Sequence, residues 1–191
     1  MYILFEGVDT SGKSTQIELL RQDFPDAIYT KEPGGTSIGL EFRKILLEKD
    51  ISSFKAELFL FLADRAEHYE QIIKPHHDKL ILSDRGFVSG MAYALTNHPN
   101  LDMNFLLELN RFALDGNLPD KVLFFKTNKE LIQSRLSQKQ NDSIEKRGID
   151  YLLKVQENMQ RVLESLEIDF WTIDSSDTVE NINTKIKGLL S

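Results

Sequence analysis

Cysteine is absent from this chain of 191 residues, so neither a disulfide framework nor a thiolate metal site can be part of it. Long apolar runs are also missing: the longest, Leu58 to Ala63, has six residues, against roughly 20 for a bilayer span, and no membrane crossing is expected. No basic stretch followed by a long apolar segment opens the sequence, so no secretory signal is expected and the cytoplasm is the default address. Positive charge is in deficit, with 23 Lys and Arg against 30 Asp and Glu, a net charge of −7. Such a surface repels nucleic-acid backbones and anionic lipid, which argues against both as partners. An anionic substrate has to be small and held by particular Lys and Arg residues.

What is present has a regular order. An apolar run, Met1 to Phe5, leads into a glycine-bearing turn from Gly7 to Gly12 and then into a helical pattern with Ile17, Leu19 and Leu20. Short strand-like runs recur at Ala27 to Thr30, Lys79 to Ser83, Val122 to Phe125 and Asp169 to Ile173. Longer segments of helical spacing lie between them, the last from about Thr178 to Leu190 behind a Thr cap. Alternating strands and helices predict an α/β domain over 1–191, with a parallel sheet covered on both faces. The polar stretch from Ser137 to Gly148 reads as a mobile surface excursion.

The strongest chemical signal is Gly7-Val8-Asp9-Thr10-Ser11-Gly12-Lys13-Ser14, followed by Thr15: two glycines at the fixed spacing, then Lys and a hydroxyl residue, with a strand before and a helix after. Backbone N–H groups curl around phosphate oxygens, Lys13 reaches the terminal phosphates, and Ser14 can ligate Mg²⁺. A nucleotide kinase, a GTP-driven switch and a non-transferring ATP-binding module all use this loop. The guanine-reading Asn-Lys-x-Asp is not completed, since Asn128-Lys129-Glu130 runs into Leu131; Asn128 reads as a helix cap and Lys129 as solvated. Asp84-Arg85 ends the strand-like run Leu80 to Ser83, where ligands of parallel sheets sit, so Asp84 can hold Mg²⁺ and Arg85 can grip a phosphoryl group. A surface ion pair is the alternative. Phe61 and Arg65, four apart within a helical segment from about Phe54 to Ile73, share one face that can stack and hydrogen-bond a planar base. In isolation the pair also reads as a core Phe with a solvated Arg. His68, His76, His77 and His98 show no metal spacing and read as surface residues.

In this order the segments resemble the thymidylate kinase family of nucleoside monophosphate kinases. Thr30-Lys31-Glu32-Pro33-Gly34-Gly35-Thr36, Ala63-Asp64-Arg65-Ala66-Glu67-His68, Asp84-Arg85 with Ser89 and Ala92-Tyr93, and Phe112-Ala113 with Gly116 and Pro119-Asp120 carry the likeness. The resemblance implies a three-layer phosphate-loop fold with five parallel strands and a flexible lid at about 137–148. It implies transfer of the ATP γ-phosphoryl to dTMP, with Mg²⁺ as cofactor, usually by a homodimer, in deoxynucleotide biosynthesis. Carried over, Phe61 stacks thymine and Arg65 bonds its carbonyl. Asp9 holds the 3′-hydroxyl, Tyr93 lies beneath the deoxyribose, and Pro33 and Ser89 belong to the acceptor site. Arg85, helped by Lys31 and Arg43, holds the acceptor phosphate, and Lys13 with Mg²⁺ stabilises the transferring group.

Five positions depart from the family pattern: Lys31 replaces an Arg, Gly86 an aromatic, Gly90 a polar residue near the base, Ala94 a Gln, and Ser143 a lid arginine. Arg147 lies four residues after Ser143, one helical turn on. With Arg135 at the lid stem, Arg147 is therefore expected to stabilise charge on the transferred phosphoryl. The helix from Phe54 and the segment Phe105 to Leu114 offer an apolar face for a dimer, although core packing explains the same residues.

Overall fold

Tyr2–Glu6 is buried at all five positions, which only a strand covered on both faces can achieve, and it forms the centre (β1) of the sheet. The other strands are β2 (Ile28–Lys31), β3 (Ile81–Asp84), β4 (Lys121–Lys126) and β5 (Asp169–Asp174), all parallel, in the order β2-β3-β1-β4-β5. The structure is a computed structural model that describes residues 1–137 and 148–190. The helices are α1 (Lys13–Asp23), α2 (Ser37–Glu48), α3 (Phe54–His68), α4 (Phe87–Asn97), α5 (Met103–Ala113), α6 (Lys129–Leu136), α7 (Ile149–Glu164) and α8 (Val179–Leu190).

Alternation along the central strands divides the core in two. Tyr2 and Leu4 of β1 and Val122 and Phe124 of β4 face Phe87, Met91, Leu106, Val155 and Met159 of α4, α5 and α7. Ile3 and Phe5, with Leu123 and Phe125, face Ile17 and Leu20 of α1 and Ile182 and Ile186 of α8. This is the expected parallel sheet with helices on both faces, and the strand count is the expected five. Among the described residues no helix is long and apolar enough to cross a membrane.

One expectation is corrected and one refined. The helical segment does run from Phe54 to Ile73, α-helical to His68 and π-helical over Tyr69–Ile73, and a 3₁₀ turn, Lys74–His76, follows it. Pro75 lies in the 3₁₀ turn, where its ring and missing N–H bar a continuing α-helix. His68 is not a surface residue: it is fully buried, because α3 turns that side onto the ends of β2 and its following loop. The lid expected at 137–148 falls almost wholly on 138–147, and Lys139, Lys146 and Arg147 with it; these lie outside the described residues.

Candidate active site

The loop after β1 and the loop after β3 meet at the carboxyl edge of the sheet, because β1 and β3 are neighbours in register, with Phe5 opposite Asp84. Gly7 is required by space, since a Cβ there would lie 2.7 Å from the Phe125 carbonyl oxygen. Gly12, at φ +99°, turns the loop into α1 in a conformation open to glycine at no steric cost. The Lys13 ammonium donates to the carbonyls of Gly7 (2.8 Å) and Val8 (3.1 Å) and to Ser11 Oγ (3.4 Å). Burial first, then the neighbouring Arg85 charge, pushes Lys13 down to about 8.

Ser14 Oγ donates to Asp84 Oδ2 at 2.9 Å, and Asp84 Oδ1 is buried with no partner among the described residues. Both line a cavity of about 330 Å³ together with residues 9–13, Thr15, Lys31, Arg43 and Arg85. Arg85 sits at φ 72°, a strained backbone for a residue with a side chain, held by its own N–H to Phe5 O (3.0 Å) and by Ser83 Oγ on its carbonyl (2.8 Å). Its guanidinium reaches Gly7 O (2.8 Å), Ser89 Oγ (3.2 Å) and Asp9 Oδ1 (2.5 Å). Burial opposes the charge on Arg85, but the carboxylates of Asp9, Asp84 and Glu6 outweigh it and keep the group protonated. Glu6, fully buried, accepts from Ser89 N (3.2 Å) and from Ser89 Oγ, and burial raises its carboxyl.

A second cavity, of about 140 Å³, opens beside the first and is more apolar, with Pro33, Leu46, Leu47, Phe61, Gly90 and Tyr93 in its wall. Asp9, Glu32, Arg43 and Arg85 belong to both. Tyr93 OH lies 3.5 Å from Asp9 Oδ2, and Arg43 donates to Pro33 O at 2.9 Å. Arg65 is not solvated: it is buried, donating to Glu32 Oε2 (2.8 Å) and Asn110 Oδ1 (2.6 Å). Phe61 and Arg65 thus line one wall, as their spacing predicts.

Most sequence-predicted residues line the two cavities. Arg135, in the last turn of α6, stands beside the phosphate loop without lining the cavity: its guanidinium donates to Thr10 O (2.7 Å) and Ser175 O (3.0 Å), and its Nη1 would lie 3.7 Å from a Cβ on Gly12. The departure at Gly86 has a steric cause, since a Cβ there would lie 2.8 Å from both Leu4 methyls. Where Ala94 takes the place of a Gln, Asn97 lines the second cavity from about one turn further along α4, its Oδ1 accepting from Tyr151 OH at 2.9 Å. Sequence reasoning passed over Glu6, Glu32, His68, Asn97 and Asn110. One signal was available for His68: it stands three and four positions after Arg65 and Asp64, on their face of the helix.

Comparison with known proteins bears on the same residues. A family model described as Thymidylate kinase matches residues 5–186. A thymidylate kinase of Sulfurovum sp. (strain NBC37-1) is 53% identical over 186 residues, covering 97% of each chain. That of Campylobacter concisus (strain 13826) is 53% identical over 193 residues, all of this chain and 99% of the relative. That of Nautilia profundicola (strain ATCC BAA-1463 / DSM 18972 / AmH) is 51% identical over 192 residues, all of this chain and 97% of the relative. With a match over residues 5–186 and relatives 53% identical over nearly the whole chain, the chain belongs to the thymidylate kinase family of ATP-dependent phosphotransferases.

Proposed function

We infer that this chain transfers the γ-phosphoryl group of ATP to dTMP, giving ADP and dTDP, a step of deoxynucleotide biosynthesis. The observation that carries the reading is the sharing of Asp9, Glu32, Arg43 and Arg85 between the two cavities. A donor phosphate on the loop and an acceptor phosphate beneath its base then meet at Arg85. Phosphoryl transfer asks mainly for positioning and charge stabilisation, which is what these groups offer.

The donor phosphates lie against the loop N–H groups, and the Lys13 ammonium moves from the loop carbonyls to the terminal phosphates. Arg85, with Arg43 and Lys31 at the cavity mouth, grips the acceptor phosphate and aligns its oxygen for in-line attack. Phe61 stacks the pyrimidine, Arg65 donates to its carbonyl, Tyr93 packs under the sugar, and Asp9 accepts from the 3′-hydroxyl. Ser14 and the orphaned Asp84 Oδ1 form an oxygen donor set at the phosphate cavity that fits Mg²⁺. When bound there, the ion supplies neutralisation of the β- and γ-phosphate charge.

Homodimerisation completes the proposal. Phe59 of α3 and Phe105 and Phe112 of α5 are 59%, 55% and 88% exposed, and Leu62 and Leu109 line the hollow that Phe59 and Phe112 flank. An apolar patch of this kind marks an association surface, and a second copy of the chain fits it. The test of the reaction is ADP release across dTMP, dUMP, AMP, CMP, UMP and GMP. The expected result is the highest kcat/KM with dTMP; equal rates with AMP would favour a kinase for another monophosphate.

A further inference from the structure

His68 lines neither cavity and has no exposed surface, yet it is bonded to the residue that holds Arg65. Its Nδ1 lies 2.8 Å from Glu32 Oε1, and its Nε2 lies 2.7 Å from Thr30 Oγ1. Burial by itself would raise the Glu32 carboxyl, but the Arg65 charge and the His68 hydrogen bond outweigh it and hold Glu32 below the usual carboxylate range. An ionised carboxylate only accepts, so Nδ1 carries the proton. Nε2 is bonded to the Thr30 hydroxyl, which can donate or accept. On the other side, Glu32 Oε2 accepts from Arg65 Nε at 2.8 Å and forms an ion pair with Nη2, also at 2.8 Å.

The result is one line of bonds from Thr30 through His68 and Glu32 to Arg65. It is tightly enclosed: a Cβ on Gly35 would lie 2.6 Å from His68 Cδ2 and 2.8 Å from Thr30 Oγ1, so the turn after Pro33 closes directly on the ring. The hydrogen bonds to Glu32 and Asn110 take up two of the five guanidinium N–H groups, so both terminal nitrogens keep N–H groups outside these two bonds. Those two nitrogens face Gly90, on which a Cβ would stand 3.4 and 3.5 Å away, and both residues line the second cavity.

We propose that Thr30, His68 and Glu32 form a positioning relay that fixes the free edge of Arg65 toward the acceptor base, so that His68 sets selectivity for a pyrimidine carbonyl without touching substrate. The inference rests on the reading of Arg65 as the base-binding cation. A buried donor held by a satisfied network discriminates a carbonyl from an amino group, whereas a donor free to swing by an ångström does not. Thymine presents a carbonyl where cytosine presents an amino group, and dCMP is therefore the informative competitor.

Two near-isosteric variants separate positioning from mere packing, because an Asn amide nitrogen falls near Nδ1 of the replaced ring and a Gln amide nitrogen near Nε2. His68→Gln loses the donor to Glu32 and should raise the KM for dTMP roughly tenfold, with kcat and the KM for ATP within about twofold of wild type. The dTMP/dCMP ratio of kcat/KM should fall with it. His68→Asn keeps the donor to Glu32 and should restore both quantities. Equal behaviour of the two variants, or a loss that tracks melting temperature and touches kcat and ATP alike, overturns the relay. If His68→Gln fails to fold, Glu32→Gln supplies the same comparison: one of its amide faces must oppose an N–H of Arg65 or His68, and an unchanged dTMP KM there overturns the proposal. Arg65→Lys separates the two levels of inference. An unchanged dTMP KM in that variant removes the base-binding reading itself; a raised KM there, with His68→Gln like wild type, removes only the relay.

Discussion

Replacing Lys13 by Met should stabilise the free protein while abolishing turnover. Lys13 is 5% exposed, and its ammonium is held at about 8 against an ordinary 10.5, chiefly by burial. At ~1.4 kcal/mol per unit of pH, the gap is a penalty of about 3 kcal/mol for keeping the group charged in the folded protein at neutral pH. Loss of the ammonium frees the carbonyls of Gly7 and Val8 and the Ser11 hydroxyl, which costs about 1 kcal/mol where water can enter the open cavity. The remainder, about 2 kcal/mol, corresponds to a rise of roughly 5 °C in Tm for a chain of this size. The sign also fixes a pH dependence. A depressed lysine binds fewer protons folded than unfolded between about 8 and 10.5, so its penalty is complete below about 8 and fades as pH climbs to 10.5. Calorimetry of Lys13→Met and wild type, without nucleotide, at pH 7 and pH 9.5 should therefore show a Tm gap in favour of the variant that narrows at the higher pH. A variant that melts lower at pH 7, or a gap that does not change with pH, would refute the reasoning.

Phe61→Ala should raise the KM for dTMP about tenfold and leave that for ATP unchanged, since stacking is worth roughly 1–3 kcal/mol per base; steady-state kinetics in both substrates checks it. Gly86→Ala places a methyl 2.8 Å from both methyls of the fully buried Leu4, and overpacking of a central strand should cost about 1–3 kcal/mol, read as a lower urea midpoint at constant m. Phe112→Glu, at the most exposed apolar side chain of α5, should shift sedimentation from dimer to monomer; a wild-type sedimentation coefficient equal to that of the variant counts against the dimer.

The legible parts of the site were those whose residues are close in sequence. The turn from β1 into α1 carries its glycines, lysine and hydroxyl within eight positions, and Phe61 with Arg65 needs only one helical turn. Asp84 and Arg85 announced themselves as charge directly after an apolar run, where the sheet does end at Asp84. What was hidden depends on partners far away in the chain. Arg65 could equally be solvated until Glu32, 33 residues earlier, is seen beside it. His68 looks like a surface histidine because the two groups that bury it, Thr30 and Glu32, come from another strand and its loop. Arg135 is anchored beside the phosphate loop by carbonyls of Thr10 and Ser175, 125 and 40 residues distant. The bare position at Gly86 follows from Leu4 on the neighbouring strand, a packing fact with no local signature.

An acidic chain that binds two polyanions needs its cations prepared in advance, and the arrangement of carboxylates shows how that is done. Arg85 is held by Asp9 directly and by Glu6 through Ser89, while Arg65 is held by Glu32. Each guanidinium is thus oriented inside the site, and at Arg85 the neighbouring carboxylates outweigh the burial that opposes its charge. Arriving phosphate exchanges partners with groups that are already desolvated and already placed, so little ordering is left to be done at binding. Lys13 is the exception among these cations: loop carbonyls rather than a carboxylate hold it, and it is the one whose charge burial pushes toward release. A cation held by neutral carbonyls gains more from a terminal phosphate than one already paired with a carboxylate, which agrees with the proposed division of labour: Lys13 for the group in transfer, Arg85 for the acceptor that must simply be held.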